Sequence, residues 1–325
     1  PHGTLLRSIS GTVRGARRSS RDEATATSEH QRSNYSDRRL ERKAATSGGL
    51  ASWPAVGAGP IFIVGPMGSG TTLLRLMLDA HPDLAIPGET HWVPKFIKQL
   101  EQRRMTADEM ADFIIESKRW PDFHLDPDAL RERFRNLRHL NAADAIRAFY
   151  ALYSEREGKT RYGDKTPGYV REMLRLQRVL PEARFIHIIR DGRDVALSHL
   201  RMNWGPETYE ESAQLWVERI TTARRQAPRV RHYMEVQFED LVRDTEGVLR
   251  RICDFIELDY DPCMLDYHER AEERLREKAD EADRPQLFIV VIPQEGGEGV
   301  HAHRARGQLN QFLDRARAAS LLAAG

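Results

Sequence analysis

IFIVGPMGSGTTLLRLML, residues 61–78, is the stretch on which the fold turns. Ile61, Phe62, Ile63 and Val64 form a short apolar run rich in β-branched side chains, and beyond the turn Leu73, Leu74, Met77 and Leu78 recur at helical spacing. The stretch therefore predicts a buried strand, a glycine-rich turn and a helix. Gly65, Gly68 and Gly70 let backbone amides approach an anion with no Cβ in the way, and Ser69, Thr71 and Thr72 add hydroxyls at the positive end of the helix.

Set against the nucleotide-binding pattern GxxxxGK[ST], Gly65, Gly70 and Thr72 fit, but Thr71 stands where the lysine that reaches the β- and γ-phosphates belongs. A kinase or ATPase would lack its main cation at that point. A tight strand-to-helix connection with no ligand is the plainer reading of the same glycines.

The 325 residues suffice for one large domain or two ordinary ones with a core that needs no staples. Cys253 and Cys263 are the only cysteines, too few for a disulfide framework or a zinc cluster, and they suit a reducing, cytoplasmic compartment. Fifty basic against 49 acidic residues leave no net field to draw the chain onto nucleic acid or a membrane, so any anion is caught locally. No apolar run approaches the roughly 20 residues of a membrane span, and no signal-peptide core is read ahead of residue 61. Residues 1–55 are rich in Ser, Thr, Gly and Arg, with ten Lys and Arg against five Asp and Glu, and are expected to be disordered. Residues 56–325 are expected to form a single domain.

The first helix is expected to end near His81 and Pro82, and a short strand, Leu84 to Ile86, to follow. Pro87 and Gly88 then turn the chain, so Glu89, Thr90, His91 and Trp92 lie just past that strand. In an open parallel sheet this is the edge at which the glycine-rich loop also opens. A carboxylate beside an anion site is electrostatically unfavourable and asks for a reason, although a solvated turn with Glu89 capping the next helix competes. Residues 93–157 carry apolar stripes at helical spacing, and Arg131, Arg133, Arg135 and Arg138 read as a solvated basic face.

GDKTP, residues 163–167, reads as a turn leading into a helix that Pro167 starts, with Lys165 at the helix entrance. ARFIHIIRDGRDVALSHL, residues 183–200, is a second strand, turn and helix, with Arg190 at the strand's end and Ser198 eight residues on. An arginine fork and a hydroxyl are good equipment for a phosphate monoester. YMEVQFEDLV, residues 233–242, supplies a third strand and turn, followed by a helix stripe of Val248, Leu249, Ile252, Phe255 and Ile256. Three such units predict an α/β fold, a parallel sheet covered by helices on both faces.

Together, IVGPMGSGTTLLRLMLDAHP, the GETHW turn, GDKTP, IIRDGRDVALSHL and EVQFEDLV resemble the sulfotransferases that use 3′-phosphoadenosine 5′-phosphosulfate, in the branch of bacterial small-molecule and tyrosylprotein enzymes. The resemblance covers roughly residues 60–265 and implies a P-loop-like fold. It implies that Gly68, Ser69, Gly70, Thr71 and Thr72 hold the 5′-phosphosulfate and that Arg190 and Ser198 hold the 3′-phosphate. The nucleotide is then a co-substrate, no metal is required, and the acceptor is a hydroxyl on a small molecule, a carbohydrate or a tyrosine. Glu89 is expected to be the general base, His91 its substitute, and Lys165 the cation on the bridging oxygen.

Two features depart from the family pattern. Gly68 stands where relatives carry Arg or Lys, and Lys165, Arg193 or Arg75 are the residues that could compensate. The late glycine-rich element with a tryptophan is missing after about residue 285, where EGGEGVHAHRARGQ offers Arg304 or Arg306 and a His301–His303 pair too small for a metal site. The competing functions are a small-molecule kinase and a nucleotide-binding protein without catalysis.

Overall fold

The computed structural model describes residues 59–200 and 205–268. The expectations for residues 1–55 and for the chain after about residue 285 lie outside the described residues.

Five parallel strands, β1 (Ile61–Val64), β2 (Leu84–Ala85), β3 (Arg161–Lys165), β4 (Arg184–Ile189) and β5 (His232–Gln237), form one sheet in the order β2-β3-β1-β4-β5. Side chains alternate across a strand, so β1 sends Phe62 and Val64 to one face and Ile61 and Ile63 to the other. All four are fully buried. That burial is possible because helices cover both faces.

On the Phe62 face lie α2 (Val93–Gln102), α3 (Ala107–Ile115), α4 (Pro127–Arg135), α5 (Ala142–Arg156) and α6 (Met173–Val179), whose Phe96, Met110, Phe134, Phe149 and Met173 join one core. On the Ile63 face, α1 (Thr71–Asp79) and α10 (Thr245–Ile256) bury Leu74, Met77, Leu249 and Ile252 against Ile186, Ile188 and Val236. Side-chain caps begin several of the described helices; among them, Thr106 and Glu109 form a reciprocal capping box on α3, and Asn141 accepts from the Asp144 amide on α5. The basic face is solvated as expected, with Arg131, Arg133 and Arg135 paired to Asp112, Glu155 and Asp108. Among the described residues, no helix is long and apolar enough to cross a membrane.

The sequence reading of residues 161–165 needs correction. RYGDK is a strand and not part of a turn, and it lies inside the sheet between β2 and β1. It lacks the apolar run of a buried strand because its side chains are satisfied individually. Gly163 is required there, since a Cβ would meet the Ile61 carbonyl oxygen at 2.8 Å. Similarly, FEDLV after β5 opens a short helix, α9 (Phe238–Arg243).

Strand order reverses beside β1: β2 and β3 lie on one side of it, β4 and β5 on the other. In open parallel sheets the crevice at such a switch point, past the carboxyl ends of the strands, is where ligands bind. Among the described residues, the glycine-rich loop, the GETHW turn, Lys165, Arg190 and the turn after β5 all follow or end strands at that edge.

Candidate active site

The loop after β1 is shaped by its glycines. Gly68 has φ 77° and Gly70 φ 93°, both in the left-handed region that side chains other than glycine rarely adopt. A Cβ on Gly70 would lie 2.3 Å from the Phe238 ring, and one on Gly68 would press at 3.2 Å on both Cβ and Oγ of Ser198. Gly70 is also the N-cap of α1 and offers no capping side chain. The first amides of α1 therefore keep their hydrogen-bonding capacity at the positive end of the helix. The Ser69 hydroxyl is fully buried and has no partner among the described residues. Open amides at the start of α1, an unpaired buried hydroxyl and a cradle that a Cβ at Gly70 would fill together fit an anionic phosphate group.

Arg190 follows β4 and reaches across to this loop, its guanidinium donating to the Gly68 carbonyl oxygen at 3.3 Å. The same group lies 4.5 Å from the centre of the Phe238 ring, a cation-π contact that holds the fork flat. Its Nε is buried with no partner among the described residues. Ser198, the penultimate residue of α7 (Gly192–His199), sits against Gly68. Thus Arg190 and Ser198, each more than 100 residues from the loop in sequence, meet it around one glycine.

On the other side of the loop, Lys165 ends β3. Strand alternation sends it to the α1 face, where it is almost fully buried, with Nζ 2.6 Å from Glu89 Oε1 and 3.5 Å from Thr72 Oγ1. His91 Nε2 stands 3.0 Å from Glu89 Oε2. Burial alone would push the Glu89 carboxyl up, but the Lys165 ammonium and the hydrogen bonds from His91 and Lys165 outweigh it and hold the group well below the usual carboxylate range. Glu89 is therefore ionised at neutral pH. All ten residues singled out in the sequence, Gly68 to Thr72, Glu89, His91, Lys165, Arg190 and Ser198, lie at the carboxyl edge of the sheet.

The two other cations considered for the loop are engaged elsewhere. Arg193 pairs with Asp191 through its Nε at 2.9 and 3.1 Å. Arg75, on α1, is buried and donates from Nε to the Ile86 carbonyl oxygen at 2.9 Å, anchoring the end of β2. Lys165, by contrast, contacts Thr72 at the start of α1.

Three supports were not legible in the sequence. His199 is fully buried, with Nε2 3.0 Å from the Met67 carbonyl oxygen and Nδ1 2.7 Å from Ser212 Oγ. Burial lowers its pKa, so the neutral ring donates from Nε2 to the loop and accepts the Ser212 hydroxyl. Trp216 donates from Nε1 to the Arg190 carbonyl oxygen at 3.0 Å, and Glu239 accepts the Asp191 amide at 2.9 Å. These contacts fix the turn that carries Arg190. His199 and Glu239 lie within IIRDGRDVALSHL and EVQFEDLV, but neither motif gives them a role, and Trp216 lies in none of the motifs.

A sequence profile of the Sulfotransferase family matches residues 60–262. A presumed protein-tyrosine sulfotransferase of Caenorhabditis briggsae is 29% identical over 217 residues, covering 64% of this chain and 69% of that protein. The protein-tyrosine sulfotransferase of Drosophila melanogaster is 27% identical over 216 residues, covering 64% of this chain and 40% of the fly protein. The chain thus spans between two fifths and about two thirds of the length of these relatives. Among solved structures, the sulfotransferase domain of the olefin synthase from Synechococcus PCC 7002 is 26% identical with a TM-score of 0.49, covering 68% of this chain and 81% of that domain.

Proposed function

The chain belongs to the sulfotransferase family, and from that premise we propose that it moves a sulfuryl group from 3′-phosphoadenosine 5′-phosphosulfate to an acceptor hydroxyl, with Glu89 as general base. One observation carries the reading. A buried ammonium, Lys165, joins a carboxylate at 2.6 Å to the hydroxyl of Thr72 at the mouth of the phosphate loop. A base and a cation at the same mouth are what transfer from a phosphoanhydride-like donor to a hydroxyl requires.

In this mechanism Gly68, Ser69, Gly70, Thr71 and Thr72 bind the 5′-phosphate through amides and hydroxyls, while Arg190 and Ser198 bind the 3′-phosphate. Glu89 removes the acceptor proton as the new bond from oxygen to sulfur forms. Lys165 neutralises the charge that develops on the bridging oxygen as the bond from sulfur to that oxygen breaks. The proton ends on Glu89 and the electron pair on the phosphate. The pairing that holds Glu89 ionised also makes it a weak base, so the step gains when Lys165 turns from Glu89 toward the leaving oxygen. His91, hydrogen-bonded to the second carboxylate oxygen, keeps Glu89 aimed. Because two relatives are named as tyrosine sulfotransferases, tyrosine peptides are the first acceptors to try, followed by phenols and carbohydrates.

The 3′-phosphate assignment makes a discriminating prediction. Arg190→Ala should weaken binding of 3′-phosphoadenosine 5′-phosphate by about 10- to 100-fold, the scale of one charge-assisted hydrogen bond, and leave adenosine 5′-phosphosulfate nearly unaffected. Calorimetric titration of the folded variant with both ligands decides it, and equal losses would refute the assignment.

Gly68 calls for a different expectation from that suggested by the family pattern. With φ 77° and Ser198 pressed against it, the position is a backbone requirement, so the family's cation cannot be restored there. Gly68→Arg should cost about 1–2 kcal/mol of loop strain, roughly 5- to 30-fold in donor affinity. A gain in affinity or turnover, read in the same titration and in a transfer assay, would show that the loop tolerates the side chain.

A further inference from the structure

The turn that presents Glu89 is clamped from behind by a network that no sequence motif announced. Thr90 is 1% exposed. Its amide donates to Thr166 Oγ1 at 3.1 Å and its hydroxyl donates to Asp164 Oδ2 at 2.7 Å. Since the Thr90 proton goes to Asp164, the 2.8 Å contact with Tyr169 is a bond donated by the tyrosine, whose oxygen in turn accepts the Val93 amide at 3.1 Å. Tyr150 donates a second bond to Asp164 Oδ2 at 2.8 Å. All these side chains are buried; both bonds to Asp164 converge on Oδ2, while Oδ1 has no partner among the described residues, and buried hydrogen bonds of this kind are costly to break.

The turn itself is strained. His91 has φ 56°, unusual for a residue other than glycine, and the Trp92 amide donates to the Thr90 carbonyl oxygen at 2.7 Å across it. Such a conformation persists only where its surroundings over-determine it, and Thr90 is the residue held on both its amide and its side chain. The anchoring carboxylate and the catalytic cation are also consecutive. Asp164 and Lys165 point to opposite faces of β3, one gripping Thr90 and the other meeting Glu89 at 2.6 Å. A single strand thereby sets both the position of the base and the position of its cation.

We propose that Asp164, acting through the hydroxyl of Thr90, is the positioning residue that fixes Glu89 against Lys165 for proton removal. The inference rests on Glu89 being the base. Neither Asp164 nor Thr90 touches the reactants; their role is to hold the carboxylate within reach of the acceptor. Misplacing a catalytic group by about 1 Å can cost on the order of 100-fold.

The test uses five variants of the whole chain, with turnover measured on a phenolic or tyrosine-peptide acceptor and binding measured with 3′-phosphoadenosine 5′-phosphate. Thr90→Val, close in shape but without the hydroxyl, should lower kcat by about 10- to 100-fold while nucleotide affinity holds. Thr90→Ser should restore most of it. Asp164→Asn should behave like Thr90→Val. Combined with Glu89→Gln, Thr90→Val should add no further loss, because a base that is absent cannot be misplaced. The proposal is overturned if Thr90→Val keeps wild-type kcat, if Thr90→Ser fails to rescue it, or if Thr90→Val costs as much in the Glu89→Gln background as alone. A Glu89→Gln enzyme with wild-type turnover would overturn the base assignment itself and the positioning role with it. A slow Glu89→Gln beside an unimpaired Thr90→Val would overturn the positioning role alone.

Discussion

Glu89→Gln is expected to lower turnover by about 10²- to 10⁴-fold, the usual contribution of a positioned general base. The amide is nearly isosteric and can still accept from Lys165 at the position of Oε1 and meet His91 at that of Oε2. The shape of the turn should therefore survive while the proton acceptor disappears. Nucleotide affinity should hold or rise slightly, because a negative charge near the phosphate loop is removed. His91 provides the internal control, since its Nε2 lies 3.0 Å from the same carboxylate. If Glu89→Gln retains near-wild-type turnover and His91→Ala abolishes it, the base is His91.

Lys165→Met should be comparably severe, for two reasons acting together. It removes the cation proposed for the bridging oxygen, an interaction of the kind worth about 10²- to 10³-fold when one preorganised donor is deleted. It also leaves Glu89 without the ammonium that offsets burial, the factor that otherwise raises its pKa. Without that ammonium, burial works against the charged form from which a base must start. The second consequence passes through Glu89, so the double variant Lys165→Met/Glu89→Gln should lose clearly less than the product of the two single losses. Losses that simply multiply would mean that the two residues act independently, contrary to the shared role drawn from their 2.6 Å contact. Lys165→Arg is not expected to rescue, because a planar fork does not fit where a buried point charge sits.

The parts of this site that were legible in the sequence share a property: each is a residue type that chemistry demands at the end of an apolar strand. Ile61 to Val64 and Phe185 to Ile189 announce buried strands, so the loop at Gly65 and the fork at Arg190 could be placed at their carboxyl ends. The short strand β2 placed Glu89 in the same way. β3 was not legible, because Tyr162 and Asp164 are polar side chains buried by partners distant in sequence, among them Tyr150 and Thr90. With that strand read as a turn, Lys165 was put at a helix entrance when it in fact ends a central strand. Its closeness to Thr72 and Glu89 is a consequence of the pairing of β3 with β1, with Lys165 in register with Ile63. The positive φ of Gly68 was likewise invisible: a glycine in a turn reads the same whether it permits a conformation or merely lacks a side chain.

Its neighbours explain why this chain manages without the family's cation at position 68. Ser198 occupies the space beside the glycine, and Arg190 and Lys165 approach the loop from opposite flanks, one from β4 and one from β3. Positive charge is supplied by the walls of the crevice and not by the loop itself. The arrangement also separates this chain from a kinase, in which the loop's own lysine reaches the phosphates; here Thr71 holds that place.

Sulfuryl transfer is the activity on which the roles proposed for Glu89, Lys165 and Arg190 all depend. The direct measurement incubates the protein with donor nucleotide labelled with radioactive sulfur in the sulfuryl group, against tyrosine peptides, phenols and carbohydrates, with ATP and magnesium in a parallel reaction. Label should appear covalently on a hydroxyl-bearing acceptor, together with 3′-phosphoadenosine 5′-phosphate, and should fall by about 10²-fold or more with Glu89→Gln. Phosphate transfer from ATP, or tight nucleotide binding with no label moved to any acceptor, would contradict it.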